Sequence, residues 1–201
     1  MIAARLAEVR ARVAAACARA GRAPGEVTLI AVTKTHPVEL IREALAAGQT
    51  DFGENYVQEL VPKQAALPQA RWHFIGRLQR NKAKEIAGRV TLIHGVDSVA
   101  LAEAIARRAE AAGVVQDVLA QVNVAGEASK GGVAPGELAA LLATRPTGLR
   151  WRGLMIMPPP ADDPETTRPY FRAARALARD HGLAELSMGM SSDYELSLIH
   201  I

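Results

Sequence analysis

The stretch 27-VTLIAVTKTHPVELIREALAAG-48 decides how the chain is read. Its first part, Val27 to Lys34, is an apolar, β-branched run with no polar alternation, as expected of a strand covered on both faces. Pro37 stands where a helix begins, and the helix it opens closes on Gly48, a C-cap residue. The stretch is one strand–loop–helix unit, and Lys34 falls at its turn.

The same unit recurs outward from it. Strands are predicted near Thr50–Gly53, Arg71–Gly76, Val90–Gly95, Asp117–Val124, Leu149–Met155 and Leu186–Met188. Helices are predicted over Asn55–Ala66, Gln79–Ala87, from an Asp97 or Ser98 cap to Ala112, over Pro135–Ala143 and over Pro164–His181. Upstream, Ile2, Leu6, Val9 and Val13 lie at helical spacing, so the Arg- and Ala-rich start reads as a packed helix rather than a transit peptide. Strict strand–helix alternation favours a parallel sheet, either an open doubly wound sheet or most of a (β/α)₈ barrel. No G-x-G-x-x-G follows the first strand, so the TIM-type barrel is the better reading, one strand short.

Composition narrows the function. The 201 residues are 49% hydrophobic and 4% aromatic, enough for one domain with an aliphatic core. The net charge is +3, and the basic residues are scattered without interleaved aromatics, which speaks against nucleic acid as a partner. A single cysteine, Cys17, permits no internal disulfide and suits a reducing, cytoplasmic setting. No apolar run reaches the ~18 residues of a membrane helix.

In barrels the working residues sit past the carboxyl ends of the strands. Lys34 is there, either as an amine desolvated at the mouth and nucleophilic toward an aldehyde, or as an ordinary solvent-facing lysine. Asn55 offers a donor and an acceptor at the mouth, or caps a helix. His73 is a ligand or a hydrogen-bonded core residue; no second His or Cys stands at metal spacing, so no metal is expected. Glycines 126, 131 and 132 allow a ligand close to the backbone or mark a loop. Met155 and Met157 suit packing on a flat ring, or core. Ser187, Gly189 and Ser191, before a helix, have the makings of a phosphate cradle.

Taken in order, AVTKTHPVELIREALAAG (31–48), DFGENYVQEL (51–60), WHFIGRLQRNKAK (72–84), QVNVAGEASKGG (121–132), GLMIMPPP (153–160) and LSMGMSSDYE (186–195) resemble the pyridoxal 5′-phosphate (PLP) homeostasis protein family. That family is similar in fold to the barrel domain of alanine racemases. The resemblance implies that Lys34 carries PLP as a Schiff base, that Asn55 lies close to the cofactor and that Ser191 reaches its phosphate. Lys130 matches a second motif lysine, proposed to handle PLP transfer or binding outside the main site. The expected function is a PLP carrier and buffer without turnover, a cytoplasmic monomer whose partners are PLP and PLP-dependent apo-enzymes. The rival is a PLP-dependent racemase. Racemisation needs acid/base groups on both faces of the reacting carbon. In alanine racemases one is a tyrosine on a second domain, for which this chain has no length.

The resemblance stops at Glu195. Family members continue through a helix into an eighth strand, whereas Leu196–Ile201 reads LSLIHI, which the codons of a transposon-end sequencing adapter encode. The expectation is an incomplete barrel over 1–195, lacking strand eight through truncation, and a non-native tail at 196–201.

Overall fold

The computed structural model describes residues 1–127 and 130–200. Seven parallel strands lie side by side in chain order: β1 (Ala31–Val32), β2 (Asp51–Glu54), β3 (Arg71–Phe74), β4 (Leu92–Val96), β5 (Gln116–Gln121), β6 (Leu149–Met155) and β7 (Glu185–Ser187). A doubly wound sheet reverses its strand order part-way; this one never does. The sheet also curls. His94 Nδ1 on β4 lies 2.7 Å from Ser187 Oγ on β7, whereas three flat strand spacings would hold them about 14 Å apart. The architecture is a barrel open between β1 and β7 among the described residues.

The helices α1 (Ile2–Arg19), α2 (Val38–Ala46), α3 (Val57–Ala66), α4 (Ala83–Ile86), α5 (Val99–Ala111), α6 (Leu138–Ala143), α7 (Arg168–Asp180) and α8 (Tyr194–His200) accompany the strands. The stretches predicted as helix from Gln79, Pro135 and Pro164 each open with a 3₁₀ turn before α4, α6 and α7. Ser98 caps α5, accepting from the Leu101 N–H.

Strand alternation sorts the side chains. Phe52, Trp72 and Phe74 join Leu60, Ile86 and Ile105 in one apolar core under α3–α5. Ala120, Leu154, Leu138 and Phe171 form a second core under α6 and α7. Residues of the opposite parity, Asp51, Gly53 and His73, line the barrel interior. A Cβ on Gly53 would lie 2.9 Å from Ile75 Cδ1 and 3.0 Å from Ile30 Cγ2, so the interior below the rim is filled.

The first strand departs from expectation. Val27–Lys34 reads as a strand buried on both faces, yet only Ala31–Val32 is strand and Val32 is 47% exposed. The cause is a missing neighbour: β1 pairs with β2 alone, Ala31 opposite Phe52 and Val32 opposite Gly53. On the helix side α1 spans this opening. Arg10 Nη1 donates to Ala47 O at the end of α2 at 3.0 Å, while Val13, Ala16 and Cys17 pack against Leu198 of α8. Arg12 and Arg19 add ion pairs to Glu195. Residues 196–200 of the stretch set apart in the sequence continue α8, with Leu196 and Leu198 buried, and Ile201 lies outside the described residues.

Candidate functional site

Lys34 sits in the turn that follows β1 and is exposed, with no hydrogen bond or ion pair among the described residues. Of the two alternatives for this side chain, the solvent-facing one is realised, at the open edge beside β1. Its neighbours are held firmly. The Thr33 hydroxyl donates to Glu54 Oε1 at 2.6 Å, Lys63 Nζ donates to the Thr33 carbonyl at 2.8 Å, and the Thr35 N–H donates to Glu59 Oε2 at 2.8 Å. Lys63 also binds Glu54 at 2.6 Å and Glu59 at 2.8 Å, so its three ammonium protons are all used. Burial alone would lower the Lys63 pKa, but the two carboxylates raise it above the ordinary lysine value. The Glu59 carboxyl is held below its usual range by hydrogen bonds from Lys63 and the Thr35 amide. Thr35 has φ 63°, a left-handed conformation that costs a β-branched residue roughly 1–2 kcal/mol.

Asn55 lies two residues past Gly53 as Lys34 lies two past Val32, and these partners face each other in register. The two therefore flank one stretch of rim. Asn55 is not the helix cap: Tyr56 holds that position. Its Oδ1 is buried without a hydrogen-bond partner, a state that costs about 1–3 kcal/mol unless something donates to it. Asn55 also borders a cavity of about 750 Å³ between the ends of β2–β4 and the starts of α3 and α5. Arg77, Lys82 and Asp97 share that wall, whereas Lys34 and Ser191 do not, so this hollow lies beside the predicted site rather than at it.

Inside the barrel a polar chain crosses from β2 to β7. Arg71 binds Asp51 through Nε at 2.9 Å, His73 Nε2 lies 3.1 Å from Asp51 Oδ1, His73 Nδ1 lies 3.0 Å from His94 Nε2, and His94 Nδ1 lies 2.7 Å from Ser187 Oγ. His73 is buried with both ring nitrogens engaged, which leaves neither for a ligand: the core alternative is the one realised, and His73 reaches the rim only through His94 and Ser187. Burial holds the His73 pKa below the ordinary value despite Asp51, and burial together with His73 pulls His94 down to about 3. Burial alone would raise Asp51, but hydrogen bonds from Arg71, Thr50 and His73 outweigh it and leave the carboxyl lowered. With both imidazoles neutral, the proton order follows. His73 donates from Nε2 to Asp51, His94 donates from Nε2 to His73, and Ser187 donates to His94. His94 was absent from the sequence-level candidates; its partners are 21 and 93 residues away.

The loop after β7 carries the predicted cradle. Ser187 lies opposite Met155, which is half-buried at the end of β6. Gly189 has φ 91°, and a Cβ there would lie 2.9 Å from the Tyr194 Cα, so only glycine brings this loop against α8. Asp193, which sequence reasoning passed over, takes the Met190 N–H on Oδ1 at 2.6 Å and so occupies one backbone donor of the cradle. Ser191 and Ser192 are exposed and make no hydrogen bond among the described residues. Lys130 has its amine engaged by Glu127 at 3.2 Å and by the carbonyls of Met157 at 3.2 Å and Pro158 at 2.8 Å, tying the loops after β5 and β6 together. Ala128 and Ser129 of the same glycine-containing loop lie outside the described residues. Among the described residues no group of three or more His, Cys, Asp or Glu is placed to hold a metal, and no helix is long and apolar enough to cross a membrane.

Residues 5–200 match the family model for the alanine racemase N-terminal domain. Alanine racemase from Bacillus anthracis is 16% identical with a TM-score of 0.64, covering 88% of this chain and 47% of that one, a likeness of fold alone. By fold, this is a barrel of the alanine racemase N-terminal type. The chain is 45% identical to the pyridoxal phosphate homeostasis protein of Aquifex aeolicus (strain VF5), covering 96% of this chain and 90% of that protein. For the protein of the same name from Pseudomonas aeruginosa the identity is 44%, covering 98% and 88%. PipY of Synechococcus elongatus PCC7942, solved with PLP bound, is 39% identical with a TM-score of 0.86, covering 100% of this chain and 94% of that one. The chain belongs to the pyridoxal phosphate homeostasis protein family.

Proposed function

We propose that this chain binds pyridoxal 5′-phosphate at the rim and holds it as a Schiff base on Lys34, serving as a cytoplasmic, monomeric carrier that buffers the cofactor for PLP-dependent apo-enzymes and turns over no substrate itself. The observation that carries this reading is the pairing of Lys34, an unengaged amine past β1, with the orphaned Asn55 Oδ1 on the adjoining rim. A PLP-bound relative 39% identical over the whole chain supports it. The residues present fit such a group. The rim supplies an amine for the aldehyde, an acceptor lacking a donor, the thioether of Met155 for a ring face, and the Ser187, Gly189 and Ser191 loop for the phosphate. PLP itself supplies a reactive aldehyde, which condenses with an amine and releases water; sequestering it keeps stray amines away. Lys130 acts as a loop tie in this arrangement, since its amine is already engaged.

The test is an absorbance spectrum of the purified chain with PLP, before and after borohydride, beside Lys34→Ala. A long-wavelength imine band that borohydride fixes covalently on Lys34, and that the variant lacks, is the expected result. No adduct, or an adduct on another lysine, would refute the assignment. Incubation with PLP and single-enantiomer alanine separates the carrier from a racemase: appearance of the other enantiomer would overturn the carrier reading.

A further inference from the structure

Lys34 has no side-chain partner among the described residues, yet the residues on both sides of it are fastened to a single charged cluster. Thr33 is held twice, through its hydroxyl by Glu54 and through its carbonyl by Lys63. Thr35 is held through its N–H by Glu59. Glu54 is fully buried, and Lys63 joins it to Glu59. The cluster belongs to β2 and α3, the elements beside β1, an edge strand of the sheet. Thr35 meanwhile adopts a backbone conformation that L-residues with a branched Cβ avoid and that relaxes unless the surroundings enforce it.

We infer that Lys63 and Glu59 are positioning residues for Lys34: they grip Thr33 and Thr35, force the left-handed conformation at Thr35, and so aim the lysine amine at the rim beside Asn55. Glu54 anchors the pair from inside the core. The inference rests on the assignment of Lys34 as the PLP lysine, and it adds what that assignment lacks, a reason for an edge-strand lysine to hold one direction. A solvent-exposed amine on a loose turn samples many directions and loses affinity through the ordering that binding then requires. A preset turn removes that loss. The cluster stands behind the turn, with Lys63's protons committed to Glu54, Glu59 and the Thr33 carbonyl, so Lys63 is not a competing amine for the aldehyde.

Lys63→Met would strand the buried Glu54 carboxylate and threaten folding, so the decisive variant is Glu59→Ala. Glu59 is partly exposed, and its removal keeps the Lys63–Glu54 pair. Two readouts are needed. The first is amide exchange of Thr35 in the ligand-free chain, expected to rise at least about tenfold in Glu59→Ala as its acceptor disappears. The second is the PLP concentration giving half-maximal borohydride-fixed adduct on Lys34, expected to rise about tenfold.

Thr35→Gly added to Glu59→Ala supplies a residue at ease in the left-handed region. It should restore most of the adduct formation while residue 35 still exchanges fast, a pattern that a merely destabilised fold would not give. A normal adduct curve in Glu59→Ala, or no rescue by Thr35→Gly, would overturn the inference. Absence of a Lys34 adduct in the unsubstituted chain would overturn the cofactor assignment instead. Thr35 exchange then decides the rest: unchanged exchange in Glu59→Ala would overturn the grip on the turn, and faster exchange would uphold it.

Discussion

At the scale of single residues, the two buried histidines set a pH limit. The ordinary imidazole value is 6.5, and in the folded chain His94 is held at about 3 by burial and by His73. As pH falls below 6.5 the unfolded chain takes up this proton and the folded chain does not. Stability is therefore complete above 6.5 and declines down to about 3, by up to about 1.4 kcal/mol per pH unit for one proton. His73 is lowered too and adds in the same direction. The Asp51 carboxyl, also lowered, withdraws its contribution as pH falls through its folded value. Urea midpoints of the chain and of His94→Gln between pH 7.5 and 4.5 check this. The variant should be less stable at pH 7.5 and should lose less on acidification. Parallel pH profiles would show that His94 does not titrate as its surroundings dictate.

At the scale of elements, the seam between α1 and α8 carries a measurable load. Leu198 is 4% exposed and packs on Val13, Ala16 and Cys17, which are themselves buried. Leu198→Ala should cost about 2–4 kcal/mol, seen as a lower denaturant midpoint at unchanged slope. It should also open Cys17, fully buried and the lone thiol, to a thiol reagent. A loss under about 0.5 kcal/mol with Cys17 still protected would mean that α8 is not docked. Elements of this kind mark what a sequence does and does not disclose. β6 spans Leu149–Met155 as predicted, because it is flanked by strands on both sides, which hold it in the sheet although Arg150 and Arg152 interrupt its apolar residues. β1 is far shorter than its apolar run, because strand length depends on a neighbour that composition does not report. Lys34, Asn55 and Ser191 were legible as strand-end residues. Glu54, Lys63 and His94 were not: Glu54 and Lys63 take their meaning from Thr33 just past the neighbouring strand β1, and His94 from Ser187, which only the curl of the sheet brings to it.

At the scale of the molecule, the sheet grades from a doubly paired centre to singly paired edges, and the site straddles that gradient. β4, β5 and β6 each have two neighbours and helices over them, with Ile93, Leu119 and Leu154 fully buried. β1 and β7 have one neighbour each. Backbone exchange follows such gradients, since an amide bonded inside a covered sheet opens only with the whole structure. The slowest amides should therefore lie in β4–β6. At β1 the contrast should fall between adjacent residues. The Thr33 N–H donates to Gly53 O at 2.9 Å, toward β2, so by alternation the Val32 N–H faces the open edge. Residue-resolved hydrogen exchange should find Val32 fast, with Thr33 and Thr35 markedly slower, although Val32 lies in the strand and Thr35 in the turn beyond it. A uniformly fast segment from Val32 to Thr35 would mean that the hold of Glu54, Lys63 and Glu59 does not reach the backbone. A uniformly slow one would mean that the edge beside β1 is covered in solution. The intermediate pattern is the one expected if the proposed PLP lysine stands at the open edge of the barrel and is held in place from β2 and α3.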